Sequence, residues 1–153
     1  GGIRAVVEGM EAHVSVAGVQ DQGCAALWNL AINNDENQVA INRAGGIRAV
    51  VEGMEAHVSV AGVQEQGCTA LWNLAYNNDE NKVAINRAGG IAAVVRGMEA
   101  HVSAAGVQQQ GCLALNNLAF NNDENRVAIN RAGGIGAVVR GMEAHVSVAV
   151  VQE

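Results

Sequence analysis

No proline occurs in the 153 residues, and aromatic side chains make up only 3% of them: two tryptophans, one tyrosine and one phenylalanine. Basic residues are also scarce, 9 against 15 acidic, for a formal charge of −6. A phosphate backbone rewards a basic stripe, so this balance argues against nucleic acid as a partner. No apolar run approaches the roughly 20 residues of a membrane span. The opening Gly1-Gly2-Ile3 has no charged segment followed by an apolar one, the pattern of a secretory leader. Cysteine is limited to three, an odd number that builds no disulfide framework and fits a reducing cytoplasmic or nuclear setting. What remains is an acidic, helix-rich chain, half of it apolar and long enough to bury a core.

What is present is a repeat. Gly-Gly-Ile recurs at Gly1, Gly45, Gly89 and Gly133, a step of 44 residues. The chain divides into units 1–44, 45–88 and 89–132 and a partial unit 133–153, within one domain. Between the first two units only positions 21, 25, 32 and 38 differ. A period of about 40–47 residues with helical content is that of HEAT and armadillo arrays.

Each unit reads as three helices. Asp35 to Arg43 opens with acidic and amide residues suited to an N-cap and first turn, and ends on Arg43 before Gly45 and Gly46. From Ile47 to His57, apolar Ile47, Val50, Val51, Met54 and Val58 recur at spacings of three and four. Ser59 to Gly62 is expected to break this helix. A third and longest helix then runs from Val63 to Asn77 through Gly67, Cys68, Leu71, Leu74 and Ala75.

Three helices per unit, the first short and set off by a Gly-Gly turn, favour armadillo over the two-helix HEAT unit. At residues 34–47 and 23–31 (GCAALWNLA) the chain resembles the armadillo repeats of the importin alpha and beta-catenin class. The similarity covers the whole chain. It implies an all-α fold, a right-handed superhelix of about three and a half repeats, with the third helices lining a concave surface.

The positions that differ between units locate the face available for recognition. On a helical wheel counted from Asp21, positions 25, 28 and 32 fall within about 40° of it, whereas Gly23, Cys24, Leu27, Leu30 and Ala31 lie on the opposite side. The stripe reads Asp21, Ala25, Trp28, Ile32 in the first unit. In the second it is Glu65, Thr69, Trp72, Tyr76, and in the third Gln109, Leu113, Asn116, Phe120. Beside it runs an unvarying column, Asn29, Asn73 and Asn117.

The resemblance implies a role for that column, because armadillo proteins hold the main chain of an extended peptide with a ladder of asparagines. An amide offers one acceptor and one NH2 donor to a peptide unit. Stacking at about 8–10 Å would give one clamp per three extended residues or fewer. The alternative for each asparagine is a bond to its own local backbone. In importin-like repeats a tryptophan sits four residues before the ladder asparagine; here those positions hold Ala25, Thr69 and Leu113, and Trp28 and Trp72 directly precede the asparagine. An aromatic face beside Asp21 or Glu65 suits a cation, while Leu113, Asn116 and Phe120 make the third unit more apolar. The expected partner is a partly basic or apolar extended segment.

Elsewhere the pattern points to structure. Arg4/Glu8, Arg48/Glu52, Ala92/Arg96 and Gly136/Arg140 occupy one exposed face of the second helix. Cys24, Cys68 and Cys112 recur at one core position, too far apart for disulfides if helices stack about 10 Å apart. His13, His57, His101 and His145 form a column with one imidazole per unit, which does not gather the ligands of a metal site. Gly23, Gly67 and Gly111 inside the third helix point to close helix approach. Polar residues are translated along the array and do not converge, so neither an enzyme nor a cofactor is expected.

Neither end reads as a capping repeat. The first unit begins at its second helix, and in the last Val150 replaces the glycine of positions 18, 62 and 106. Near-identical units with uncapped ends are features of an excised piece or an engineered, consensus-like array. Exposed apolar ends favour association or exchange of terminal helices between copies. The two functions open are a peptide-binding module and a structural or designed self-associating scaffold without a natural ligand.

Overall fold

The computed structural model describes residues 1–146, which form ten α-helices and no strand. Val150 and the expected opening of a fourth long helix lie outside the described residues.

The helices recur with the 44-residue step. The short ones are α3 (Asp35–Arg43), α6 (Asp79–Arg87) and α9 (Asp123–Arg131). Each begins at an asparagine whose side chain accepts from a backbone N–H three residues on, as Asn34 does from Asn37 at 3.0 Å. Each carries Asp and Glu in its first turn and Arg in its last, matching both ends of the helix dipole. Each then stops at a glycine with left-handed φ, Gly45 at +85° being the first, which turns the chain directly into the next helix.

That next helix is α1 (Gly2–Ala12), α4 (Gly46–Ala56), α7 (Gly90–Ala100) or α10 (Gly134–Ala144). In α4 the stripe of Ile47, Val50, Val51 and Met54 is entirely buried. The C-terminal turn of α1, α4 and α7 is sealed by a glutamine of the following helix. Gln64 is buried and donates through Nε2 to Met54 O at 3.0 Å and His57 O at 2.8 Å, and Gln20 and Gln108 repeat the arrangement. Met54 O and His57 O also accept from the backbone N–H groups of His57 and Val60, so the amide adds a second bond to each and ties the turn to the following helix.

The long helices are α2 (Ala17–Ala31), α5 (Ala61–Ala75) and α8 (Ala105–Ala119). They start two residues before the expected position, because Val60, extended at φ −99°, caps the helix, and Gly62 falls inside its first turn. They also end earlier: Tyr76 is extended, and Asn77 takes a positive φ of 50°, a conformation asparagine tolerates. Ile32, Tyr76 and Phe120 are therefore C-cap residues and not part of the helical wheel. Gly23, Gly67 and Gly111 do mark close approach, since a Cβ at each would overlap the side chain of Met10, Met54 or Met98.

The packing is one-dimensional. The most extensive contacts are those of α5 with α2 and with α8, and all substantial helix contacts fall within a unit or between adjacent units. Between these rows lies one continuous apolar core, containing Leu27, Ile41, Leu71, Leu74, Ile85 and Leu118.

Candidate interaction face

The α2–α5–α8 layer carries the candidate residues, and the structure divides them into inward and outward groups. Trp28 and Trp72 are half-buried, and their indole N–H groups are already engaged. Trp28 donates to Gln66 Oε1 at 2.8 Å and Trp72 to Gln110 Oε1 at 2.7 Å, each glutamine belonging to the next unit. The tryptophans thus tie successive long helices together and still present part of the ring. Asn116, which takes their place in the third unit, is exposed.

Asp21 and Glu65 also reach toward the next unit. A Cβ at Gly62 would lie 2.7 Å from Asp21 Oδ2, and one at Gly106 would overlap the Glu65 carboxylate. Both carboxylates therefore rest against the first turn of the next long helix, at the positive end of its dipole, where a Cβ would make them shift. The third member of this column is the neutral, half-buried Gln109.

The asparagine column is not uniform. Asn29 is exposed, Asn117 is half-buried, and Asn73 is 4% exposed. Their Nδ2 groups donate to backbone: Asn29 to Ala25 O at 2.9 Å, Asn73 to Thr69 O at 2.9 Å, and Asn117 to Trp72 O at 3.3 Å. Thr69 spends its hydroxyl in the same way, on Glu65 O at 2.8 Å. Ala25 is half-buried.

Three side chains at the ends of the long helices face outward. Ile32 is 44% exposed, Tyr76 50% and Phe120 60%, an apolar row one residue per unit, with Leu113 also exposed at 37%. The carbonyls of Tyr76 and Phe120 are held from the preceding unit. Gln38 donates to Asn73 O at 2.8 Å and Tyr76 O at 3.0 Å, whereas buried Lys82 donates to Phe120 O at 2.9 Å and places Nζ 5.3 Å from the Phe120 ring centroid. Positions 32 and 38, read in sequence as two of four differences, are thus one interlocking contact: Gln with Tyr at the first junction, Lys with Phe at the second.

The histidine and cysteine columns belong to the framework. His57 Nε2 lies 2.7 Å from Val14 O, His101 Nε2 2.7 Å from Val58 O, and His145 Nε2 2.8 Å from Val102 O. A carbonyl only accepts, so Nε2 carries the proton and each ring ties its unit to the one before. Burial, with a smaller contribution from Asp21, pushes the Cys24 thiol up to about 12; burial raises Cys68 to about 12 as well, reinforced by its neighbours Cys24 and Cys112. Burial also raises Cys112. These thiols stay protonated, as core atoms do. On the far side of the molecule a groove of about 1030 Å³ is lined by Glu11, Glu52, Glu55, Glu80, Arg48 and Arg87 among others, and none of the candidate residues reaches it.

The residues not anticipated from sequence are Gln66 and Gln110, the partners of the tryptophans; Gln20, Gln64 and Gln108, the seals; and Gln38 and Lys82. A signal existed for the first five. They are polar, invariant across units and lie on a helix otherwise divided between core and variable stripe.

No protein-family model matches this chain, and no curated protein matches it. Its backbone is similar to the crystal structure of an engineered protein determined by the Northeast Structural Genomics Consortium, with a TM-score of 0.77 and 26% sequence identity over 90% of this chain. The chain spans about half of that protein, 54% of its length.

Proposed function

We propose that the chain is a non-catalytic interaction module, an armadillo-type right-handed solenoid that holds an extended peptide or protein segment along the face of α2, α5 and α8. The observation that carries this reading is the apolar row Ile32, Tyr76 and Phe120, exposed at 44, 50 and 60% and changed in every unit above a nearly unchanged core. Residues that vary while their support does not are suited to reading a partner's side chains. Trp28, Trp72, Asn116 and Leu113 flank the row and extend its contact area. The Nδ2 groups of Asn29 and Asn73 each give one N–H to backbone, so an amide that keeps this bond still offers a peptide its Oδ1 and its second N–H, Asn29 being the most open. The partner is accordingly an extended segment with apolar or partly basic side chains.

The test is an arrayed library of extended peptides, basic and apolar, probed with the chain, with the Ile32→Ser/Tyr76→Ser/Phe120→Ser variant and with the Asn29→Ala/Asn73→Ala/Asn117→Ala variant. Hits lost in both variants support the reading in full; hits lost only in the first assign recognition to the apolar row alone.

A second reading, a designed repeat scaffold without a natural ligand, is favoured by the similarity to an engineered protein and by the near-identity of the units. Absence of any hit with the parent chain selects it.

A further inference from the structure

The chain has only four aromatic side chains, and all of them, Trp28, Trp72, Tyr76 and Phe120, stand on the face of α2, α5 and α8. That face is open in the interior of the stack: Tyr76 has a unit before it and a unit after it and is still 50% exposed. Charge along the face falls from unit to unit. In the first, Asp21 and Asp35 have no ion-pair partner among the described residues, and position 38 is a neutral glutamine. In the second, Glu65 remains, but Lys82 lies 3.8 Å from Asp79. In the third, position 109 is glutamine, and Arg126 holds Asp123 at 2.9 Å.

The pitch of the row Ile32, Tyr76 and Phe120 is set on both sides by single asparagines. Between long helices, Asn117 of α8 reaches Trp72 O of α5 at 3.3 Å. Between short helices, Asn81 of α6 reaches Gln38 O of α3, and Asn125 of α9 reaches Lys82 O of α6, both at 3.2 Å. So short a side chain touches a neighbouring backbone only when the helices lie at the usual separation of about 8–10 Å. The row runs between these two layers, so its members recur at that interval. A β-strand returns a side chain to one side every second residue, about 6.6 Å apart, and next at about 13 Å. A polyproline II segment, with three residues per turn and about 3.1 Å per residue, returns one every third residue at about 9.3 Å. The second spacing matches the row and the first does not.

Resting on the reading that this face holds a peptide, we infer that its occupant is a proline-rich polyproline II segment in which every third side chain is apolar. One such side chain meets each of Ile32, Tyr76 and Phe120, and a basic residue lies at the end over the first unit. Grooves lined by aromatic side chains take this conformation because it is already formed in the free segment and loses little entropy on binding. Its main chain makes no internal hydrogen bonds, and proline contributes carbonyls without N–H groups. Exposed Asn29 keeps one N–H free to meet such a carbonyl. The fall in charge sets which way round the segment lies, its cation beside Asp21 and Asp35 and its apolar end beside Leu113 and Phe120.

The test titrates the full chain with a synthetic peptide of Arg-Arg followed by three Leu-Pro-Pro modules. Trp28 and Trp72 are the only tryptophans, so their fluorescence reports occupancy of this face, and calorimetry reports binding anywhere. Two comparison peptides keep the arginines: one has the same composition with leucine at every second position, the other alternates leucine with threonine as a strand does. The three-residue repeat should bind roughly tenfold more tightly than either. Replacing its middle leucine by alanine and, separately, Tyr76→Ser should each weaken binding roughly fivefold. The two together should do little more than one alone, because both remove the same contact. The leucine beside the arginines should couple in this way to Ile32, and the last leucine to Phe120. Circular dichroism checks that Tyr76→Ser stays helical, and Tyr76→Ala replaces it otherwise with the same expectation. Equal or tighter binding of either comparison peptide, or a middle leucine that does not couple to Tyr76, would overturn the inference and leave peptide binding at this face standing. Coupling of the arginine-side leucine to Phe120 would overturn the direction set by charge. Binding without a tryptophan response, or no binding by any of the three peptides, would overturn both this inference and the reading on which it rests.

Discussion

The indole N–H of Trp72 points across a unit boundary to Gln110 Oε1, 2.7 Å away and 38 residues further along the chain. Trp28 and Gln66 repeat the bond one unit earlier, so a residue pair absent from any single repeat links both junctions. Replacing Trp72 by Phe removes the donor and part of the ring's area and is expected to cost about 1 kcal/mol, the net contribution of such a hydrogen bond. Chemical denaturation of Trp72→Phe, Gln110→Ala and the double variant measures it: the two losses should be less than additive, and full additivity would show that the bond contributes nothing.

The buried glutamine seals should be more costly to lose. Gln64→Ala removes two buried hydrogen bonds at once, leaving the Met54 and His57 carbonyls only their backbone donors, and the expected loss is about 1–3 kcal/mol. Gln64→Glu keeps the shape and removes the Nε2 donor, so it should be at least as destabilising. Thermal unfolding of both variants checks the assignment.

Much of this framework was legible in the sequence. The 44-residue step, the Asn34 cap, the buried stripe of α4 and the close approach at Gly67 each follow from composition and spacing, because each is decided within one helix or one turn. The Gln–Trp and Lys–Phe contacts were not legible for a definite reason. A wheel separates a core side from an open side, but a helix inside a stack has a third environment, its flank against the next unit. Asp21 and Glu65 fell on the variable stripe by angle and on that flank in space. Asn73 did likewise, and its burial was not foreseeable from an angle only about 80° from Asp21.

The Lys82–Phe120 junction should be exchangeable as a unit. Lys82→Gln with Phe120→Tyr recreates the Gln38–Tyr76 pair and is expected to fold with stability within about 1 kcal/mol of the parent. Lys82→Met leaves the Phe120 carbonyl without its donor and should lose about 1–2 kcal/mol. Denaturation midpoints of the two variants, compared at equal slope, decide it.

The buried thiols predict alkaline sensitivity. Cys24 and Cys68 are raised from the ordinary 9.0 to about 12, so they favour the fold fully below pH 9, and that contribution is lost as pH rises toward 12. Cys24→Ala/Cys68→Ala should be less stable than the parent at pH 7 because it leaves cavities, yet its stability should fall less steeply between pH 9 and 11. Parallel slopes of the two chains would contradict the assignment.

The central claim is that recognition occupies the outward row of the long helices. Backbone amide NMR of the chain titrated with the strongest library peptide tests it most directly. Shift changes concentrated at residues 28–32, 72–76 and 113–120, and removed by Ile32→Ser/Tyr76→Ser/Phe120→Ser, are the predicted result. Changes confined to the groove of Glu52, Glu55 and Arg87 or to the two ends, or no peptide that binds at all, would contradict it.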